Sequence, residues 1–218
     1  MAPGVNEASR HSSDRVGRLA RKVWRRLVAR NLTAGDDYDR LDRFYAMEDP
    51  WELGSGREQS RFTQTNAAIQ DRLGHVNSVL EIGCGEGHQS LHLARICDRV
   101  TGIDVSERAI VRARSRVPGA EFLVGDVANL SSSGRRFDLV VACEVLNYVK
   151  DIPATLARMS ELGAACLVTF FCPSARIVAP HLVSIPLADR GWIGGDPYAW
   201  LYVFWRTEPS PGQRMDVT

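Results

Sequence analysis

Long hydrophobic runs are missing from this 218-residue chain. The longest, Ala164 through Cys172, is about nine residues broken only by Thr169. A helical membrane span needs about 20, so none is expected. The first thirty residues carry charges where the apolar core of a secretory signal would stand. No C-x-x-C pair occurs and no histidine spacing suits zinc, so no metal is expected. The five cysteines (84, 97, 143, 166, 172) are odd in number and fall mostly in apolar segments. That usage fits buried free thiols in a reducing, cytoplasmic setting. Net charge is nearly missing too: 27 Lys+Arg face 26 Asp+Glu, for +1 overall. Such a balance argues against a protein that coats nucleic acid. With 44% hydrophobic and 24% charged residues, wholesale disorder is excluded, and a folded domain with an appendage is expected.

The balanced total hides a gradient. Residues 10–30 hold eight Arg or Lys and one Asp, whereas residues 31–60 hold eight Asp or Glu and three Arg. Within the basic stretch, Val16, Leu19, Ala20, Val23, Trp24, Leu27 and Val28 follow helical spacing. An amphipathic helix is predicted there, docked on the domain or touching an anionic surface. Residues 1–13 and 208–218 read as tails, and 14–75 as a helical N-terminal extension. Tyr38–Met47 and Glu58–Leu73 are expected helices, separated by a turn at Asp49-Pro50.

From Val76 the pattern alternates. Strands are predicted at 76–82, 99–104, 121–125, 137–143 and 165–171, with helices at 87–97, 106–117 and 152–162 between them. Short apolar strands separated by helices indicate a parallel sheet covered on both faces. Two more strands are expected at 182–187 and 199–206, joined by a loop carrying Gly191, Gly194 and Gly195. The expectation is an α/β, Rossmann-like, doubly wound and mostly parallel seven-stranded sheet over 76–207. Its C-terminal part is short, with little room for a helix between the fifth and sixth strands.

The chemistry concentrates in Glu81-Ile82-Gly83-Cys84-Gly85-Glu86-Gly87, where a strand runs through a glycine turn into a helix. Glycines there let a ligand approach the main chain, and the helix start offers backbone N–H groups. Asp104 ends the next strand 21 residues after Gly83, the spacing of a carboxylate that accepts both ribose hydroxyls. The third glycine comes one residue early for a dinucleotide fingerprint. Glu81 would repel a diphosphate but suits an ammonium, and the loop holds no Lys or Arg. S-adenosylmethionine fits these features better than NAD.

The ordered set of this glycine loop, Asp104, Gly125-Asp126-Val127 and Phe137 through Leu146 resembles the motifs of class I S-adenosylmethionine-dependent methyltransferases. More narrowly, Asp49-Pro50-Trp51 with Glu58, Arg61 and Cys143-Glu144-Val145-Leu146-Asn147-Tyr148 resembles the family of the nodulation N-methyltransferase NodS. The resemblance implies that Gly83, Cys84 and Gly85 line the methionine part and Asp104 holds the ribose. It places Asp126 at the adenine amine, Val127 beside it through its backbone, and Val105 against the adenine. Trp51 and Arg61 would belong to a lid over the cofactor. Where that family often has two tyrosines after Glu-Val-Leu, this chain has Asn147-Tyr148, a departure at the acceptor side.

Glu144, at the exit of the fourth strand, is the first candidate to orient or deprotonate an acceptor, and it also borders the cofactor. Tyr148 and His88 are second choices. Glu144 as a helix-capping or salt-bridged acid is the plain alternative. His88 and His92, four apart, lack a third metal ligand of suitable spacing. Cys84 reads as a small packed side chain. Trp192 and Tyr198 are kept as candidate substrate contacts.

The expected activity is methyl transfer to nitrogen or oxygen of a small polar acceptor, an amino sugar or a specialised metabolite of the antibiotic-biosynthesis kind. The rivals are an RNA methyltransferase using the basic N-terminal helix and a cofactor-binding fold without transfer. Nucleic acid is disfavoured, because the Asn/Asp-Pro-Pro-aromatic signature of base-amine methylation is absent. Homo-oligomerisation stays open.

Overall fold

The computed structural model describes residues 38–130 and 135–207. The basic helix predicted at 16–28 and both tails lie outside that range. The first elements are α1 (Tyr38–Phe44) and α2 (Gly56–Leu73). An alternating series follows: β1 (Val76–Ile82), α3 (His88–Leu93), β2 (Cys97–Asp104), α4 (Glu107–Arg116) and β3 (Glu121–Val124). The second half holds β4 (Phe137–Cys143), α5 (Ile152–Leu162), β5 (Gly163–Phe171), α6 (Ala175–Leu182), β6 (Asp189–Gly195) and β7 (Tyr198–Arg206).

All seven strands form one sheet in the order β3-β2-β1-β4-β5-β7-β6. The first five in that order are parallel, and β7 joins β5 antiparallel. From β1 the chain winds outward through β2 and β3, then crosses back to β4 and winds the other way. The switch point therefore lies between β1 and β4, where Ile82 pairs with Ala142. Open α/β sheets bind ligands at that crevice, beyond the carboxyl ends of the strands.

Strand composition explains the layering. Leu80, Leu139, Val140, Val141, Cys166 and Leu167 have essentially no exposure, as expected for strands buried on both faces. One core cluster unites Leu80, Val140, Leu156, Met159 and Cys166, and another unites Ile69, Val79, Leu93, Leu139 and Leu167. Each such side chain contributes about 1.5–3 kcal/mol on burial. Side chains cap two of the helices. Ser106 Oγ accepts from Ala109 N at 3.2 Å, and Asp151 Oδ1 accepts from Ala154 N at 2.9 Å.

The C-terminal part differs from the expectation. The segment predicted as a strand at 182–187 is instead the end of α6 and the loop after it. Val178 and Leu182 are buried four residues apart, which is helical spacing, and Pro180 masked it in the sequence. The glycines read as a loop belong to β6, an edge strand whose residues are mostly exposed. Edge exposure removes the apolar alternation that identifies a strand.

Helix α2 fastens this hairpin to the domain. Gln64 Oε1 accepts from Gly194 N at 2.8 Å, and Arg72 Nη2 donates to the Tyr202 hydroxyl at 2.6 Å and also to Asp189. Asn66 Nδ2 donates to the His92 carbonyl at 2.6 Å.

Candidate active site

The turn after β1 is held open by backbone geometry. Gly83 and Gly85 have φ of 67° and 52°, a region that L side chains rarely adopt. A Cβ at Gly83 would stand 2.4 Å from Val145 Cγ2, and one at Gly85 2.8 Å from the Tyr45 hydroxyl. Asp104, at the end of β2, clamps the same turn. Its Oδ2 accepts from Gly85 N at 2.8 Å and its Oδ1 from Ser106 N at 2.9 Å. Burial raises the Asp104 pKa, and those amides oppose the rise.

Glu81 is 2% exposed and accepts from Ser90 Oγ. Burial drives its pKa to about 8, with Ser90 and Arg61 pulling against the shift. Arg61, from α2, donates through Nε to Glu58 Oε2 at 2.7 Å. Its Nη1 is buried without a partner. An orphaned guanidinium nitrogen and a carboxyl with no ion pair among the described residues are complementary to an α-amino acid, the end group of S-adenosylmethionine.

At the far end, Asp126 caps the short turn Val127–Asn129 through Ala128 N at 2.9 Å, and its other oxygen accepts from the Tyr38 hydroxyl. Tyr38 brings α1 over this end. Asp42 anchors the helix by accepting from Ser106 Oγ at 2.7 Å and from Arg108 Nε at 2.9 Å.

The loop after α1 carries Trp51. Its Nε1 donates to the Tyr45 hydroxyl at 3.2 Å, and its ring lies 4.4 Å from Phe44 and 5.5 Å from Tyr148 between centroids. Glu86, 1% exposed, ties this loop to the glycine turn. It accepts from Asp49 N at 3.0 Å and from Arg112 Nη1 at 2.5 Å. Burial opposes its charge, but His88, Arg112 and the Asp49 amide outweigh burial and lower its pKa.

Glu144 follows β4 with φ of 61°. Such a backbone in a non-glycine residue costs about 1–3 kcal/mol and clusters at functional sites. Its Oε2 accepts from Phe171 N at 3.0 Å and its Oε1 from Thr169 Oγ1 at 3.2 Å. Burial lifts its pKa to about 7, with Arg61, the Phe171 amide and Thr169 resisting and Glu58 reinforcing. Burial raises the Tyr148 phenol as well, so it stays a hydrogen-bond donor at neutral pH.

These groups line one cavity of about 350 Å³. Of the residues singled out in the sequence, Trp51, Arg61, Glu81, Gly83, Cys84, Gly85, Asp104, Val105, Asp126, Val127, Glu144 and Tyr148 all border it. His88 does not, which corrects its place among the candidate bases. Its Nε2 stands 3.8 Å from Asp49 Oδ1 and 3.8 Å from Glu86 Oε2, against the loop after α1. His92 instead meets Gln59 Oε1 at 2.9 Å, so the two histidines form no pair. Asp49, Glu86 and His88 do bring potential metal ligands within 4.8 Å of one another. Arg112 and Arg116 already approach Glu86, so the group works as an ion network fastening the loop after α1.

Of the two C-terminal aromatics, Tyr198 borders the cavity, whereas Trp192 is 64% exposed and does not. The sequence reading missed Tyr38, Tyr45, Arg57 and Phe171. None sits in a motif, and only the clustering of aromatics and charge before Gly56 hinted at the first two. Burial keeps the Cys84 thiol protonated, consistent with a packing role.

Comparison with known proteins agrees with this geometry. Residues 79–163 match the family described as "Methyltransferase domain". The chain is 36% identical over 169 residues to nodulation protein S of Sinorhizobium fredii, covering 76% of this chain and 75% of that protein. The crystal structure of the N-methyltransferase NodS from Bradyrhizobium japonicum WM9 with S-adenosyl-L-homocysteine is similar at a TM-score of 0.68 and 28% identity. It covers 79% of this chain and 98% of NodS. Magnesium protoporphyrin IX methyltransferase from Synechocystis PCC 6803, solved with bound S-adenosylmethionine, shares the fold at a TM-score of 0.60 and 18% identity, over 80% and 99% of the two chains. A turn shaped by Gly83 and Gly85, a carboxylate at the end of β2 that clamps it, and this kinship have one common meaning. The chain belongs to the class I S-adenosylmethionine-dependent methyltransferases, in the family of NodS.

Proposed function

We propose that this enzyme methylates an amine nitrogen of a small polar acceptor, with Glu144 receiving the amine and its proton. The carrying observation is the Glu144 carboxyl on the cavity wall, fixed by Phe171 N and Thr169 Oγ1 and raised to about 7. The relatives called N-methyltransferase support nitrogen over oxygen as the acceptor atom.

S-adenosylmethionine supplies a methyl group already activated on a sulfonium. Arg61 would pair with its carboxylate, Glu81 with its ammonium, Asp104 with the ribose hydroxyls and Asp126 with the adenine amine. The remaining work belongs to the acceptor wall. An alkylammonium has no lone pair to offer, so a proton must leave before the nitrogen can attack. A carboxylate with a pKa near 7 is matched to that exchange at neutral pH, and such proton transfer is worth typically about 10²–10⁴-fold. Trp51, Phe171 and Trp200 border the same space with aromatic surface, which excludes competing water.

The reading is checked by following S-adenosylhomocysteine release with paired acceptors that differ only in amine versus hydroxyl. Turnover of primary amines with little turnover of their alcohols is the expected result. Preferred methylation of hydroxyls, or of RNA, would overturn it.

A further inference from the structure

A second cavity, of about 270 Å³, opens between α2 and the β6–β7 hairpin. It shares Arg57, Arg61, Tyr198 and Trp200 with the first, so the two meet at the acceptor wall rather than the adenine end. Occupied ligand pockets run from about 300 Å³ upward. A nucleoside-amino-acid cofactor would fill most of the first cavity, which leaves the second as room for an acceptor larger than its amine.

The chemistry of the shared wall is cationic. Arg57 Nε is taken by Glu58 Oε1 at 3.0 Å, and its guanidinium carbon stands 4.6 Å from the Tyr198 ring centroid. Tyr198 stacks on Phe171 at 6.3 Å with an interplanar angle of 25°. The guanidinium is thus fixed by a carboxylate and an aromatic face, while among the described residues neither Nη group has a hydrogen-bond partner. Arg61 shares Glu58, so two guanidinium groups face one carboxylate. Beyond them the groove offers Ser60 and the backbone of Gly195, where a Cβ would meet nothing within 4 Å.

We propose that this groove is a second acceptor subsite, in which Arg57 binds an anionic group carried by the acceptor away from its amine. The acceptor class is then an amine bearing a carboxylate or a phosphoryl-type anion. A fixed guanidinium fork is suited to two-pronged recognition of such groups and loses little side-chain freedom on binding. Glu144 and Arg57 would read opposite ends of one molecule. This inference rests on the amine-acceptor reading, and it makes Arg57 the residue that selects among amines.

Isothermal titration into S-adenosylhomocysteine-saturated enzyme tests it with three matched probes. These are benzylamine, 4-(aminomethyl)benzoate and 4-(aminomethyl)phenylphosphonate, and methyl transfer to each is followed in parallel. At least one anionic probe is expected to bind tenfold or more tightly than benzylamine, and which one names the anion. Arg57→Met should close that gap to within threefold, with Arg57→Gln as a second variant of the same kind. Arg95→Met, at an exposed position outside both cavities, should preserve the gap. Equal affinities, including no binding by any probe, would overturn the subsite, as would a gap that survives loss of Arg57. An Arg57-dependent gap without methyl transfer would uphold the subsite and sink the amine reading. Amine methylation without a gap would do the reverse.

Discussion

The two halves of the cavity are built by different rules. On the cofactor side, Gly83, Gly85 and Asp104 lie within 22 residues of sequence, and backbone amides of neighbouring residues fix the carboxylate. On the acceptor side, Arg57, Glu144, Phe171 and Tyr198 come from four separate stretches, joined by the β5–β7 pairing and the docking of α2 on β6. A local turn can be specified by adjacent residues. A wall assembled across the sheet depends on the whole fold, and it can change its side chains without disturbing the turn. Under the proposed function, the cofactor half is therefore constrained and the acceptor half sets specificity.

If that contrast holds, Asp104→Ala has the largest effect on cofactor affinity. It removes the acceptor for two buried amides as well as the proposed ribose contact. A hydrogen bond to a charged group is worth about 1.5–3 kcal/mol, so loss of the two proposed ribose-hydroxyl bonds predicts weakening of about 10²–10⁴-fold in S-adenosylhomocysteine affinity. Calorimetry would check this, and weakening below tenfold would break the proposed division of labour. Asp104→Asn, which keeps one acceptor, should fall between the two.

A smaller effect follows from Glu81. With a pKa near 8 in the free protein, Glu81 is largely protonated at pH 6 and must release its proton to face an ammonium. Cofactor affinity should therefore rise with pH between 6 and 8, by up to about tenfold per unit, and level off above 8. Stability of the free protein runs the opposite way. A carboxyl whose folded pKa is raised stabilises the fold below its unfolded value, and that contribution is lost as pH rises through about 8. Titrations at pH 6, 7 and 8 on wild type and Glu81→Gln check the sign, and the variant should show no such slope.

The same contrast governs how much the sequence discloses. The strands β1 to β5, the caps at Ser106 and Asp151, and the cavity residues from Glu81 to Val127 are legible because each is signalled locally. Legibility ends where partners are distant. Pro180 obscures a two-turn helix, and three glycines obscure an edge strand whose pairing with β7 supplies the ladder. His88 looks catalytic by adjacency to the glycine turn, yet the start of α3 directs it to Asp49 and Glu86. Arg57 has no motif at all. Its meaning appears only when Tyr198, 141 residues later, lies beneath it.

The central claim is that Glu144 takes the acceptor's proton, and the pH dependence of kcat/KM tests it most directly. For an amine substrate, the wild-type enzyme should show a limb that rises with pH through about 7, the pKa of this buried carboxyl. Glu144→Gln keeps an oxygen for Phe171 N, so the wall stays in place while the proton acceptor is gone. The account predicts a fall of about 10²–10⁴-fold at neutral pH and loss of that limb. A variant that keeps both the limb and a rate within a few-fold of wild type would contradict it.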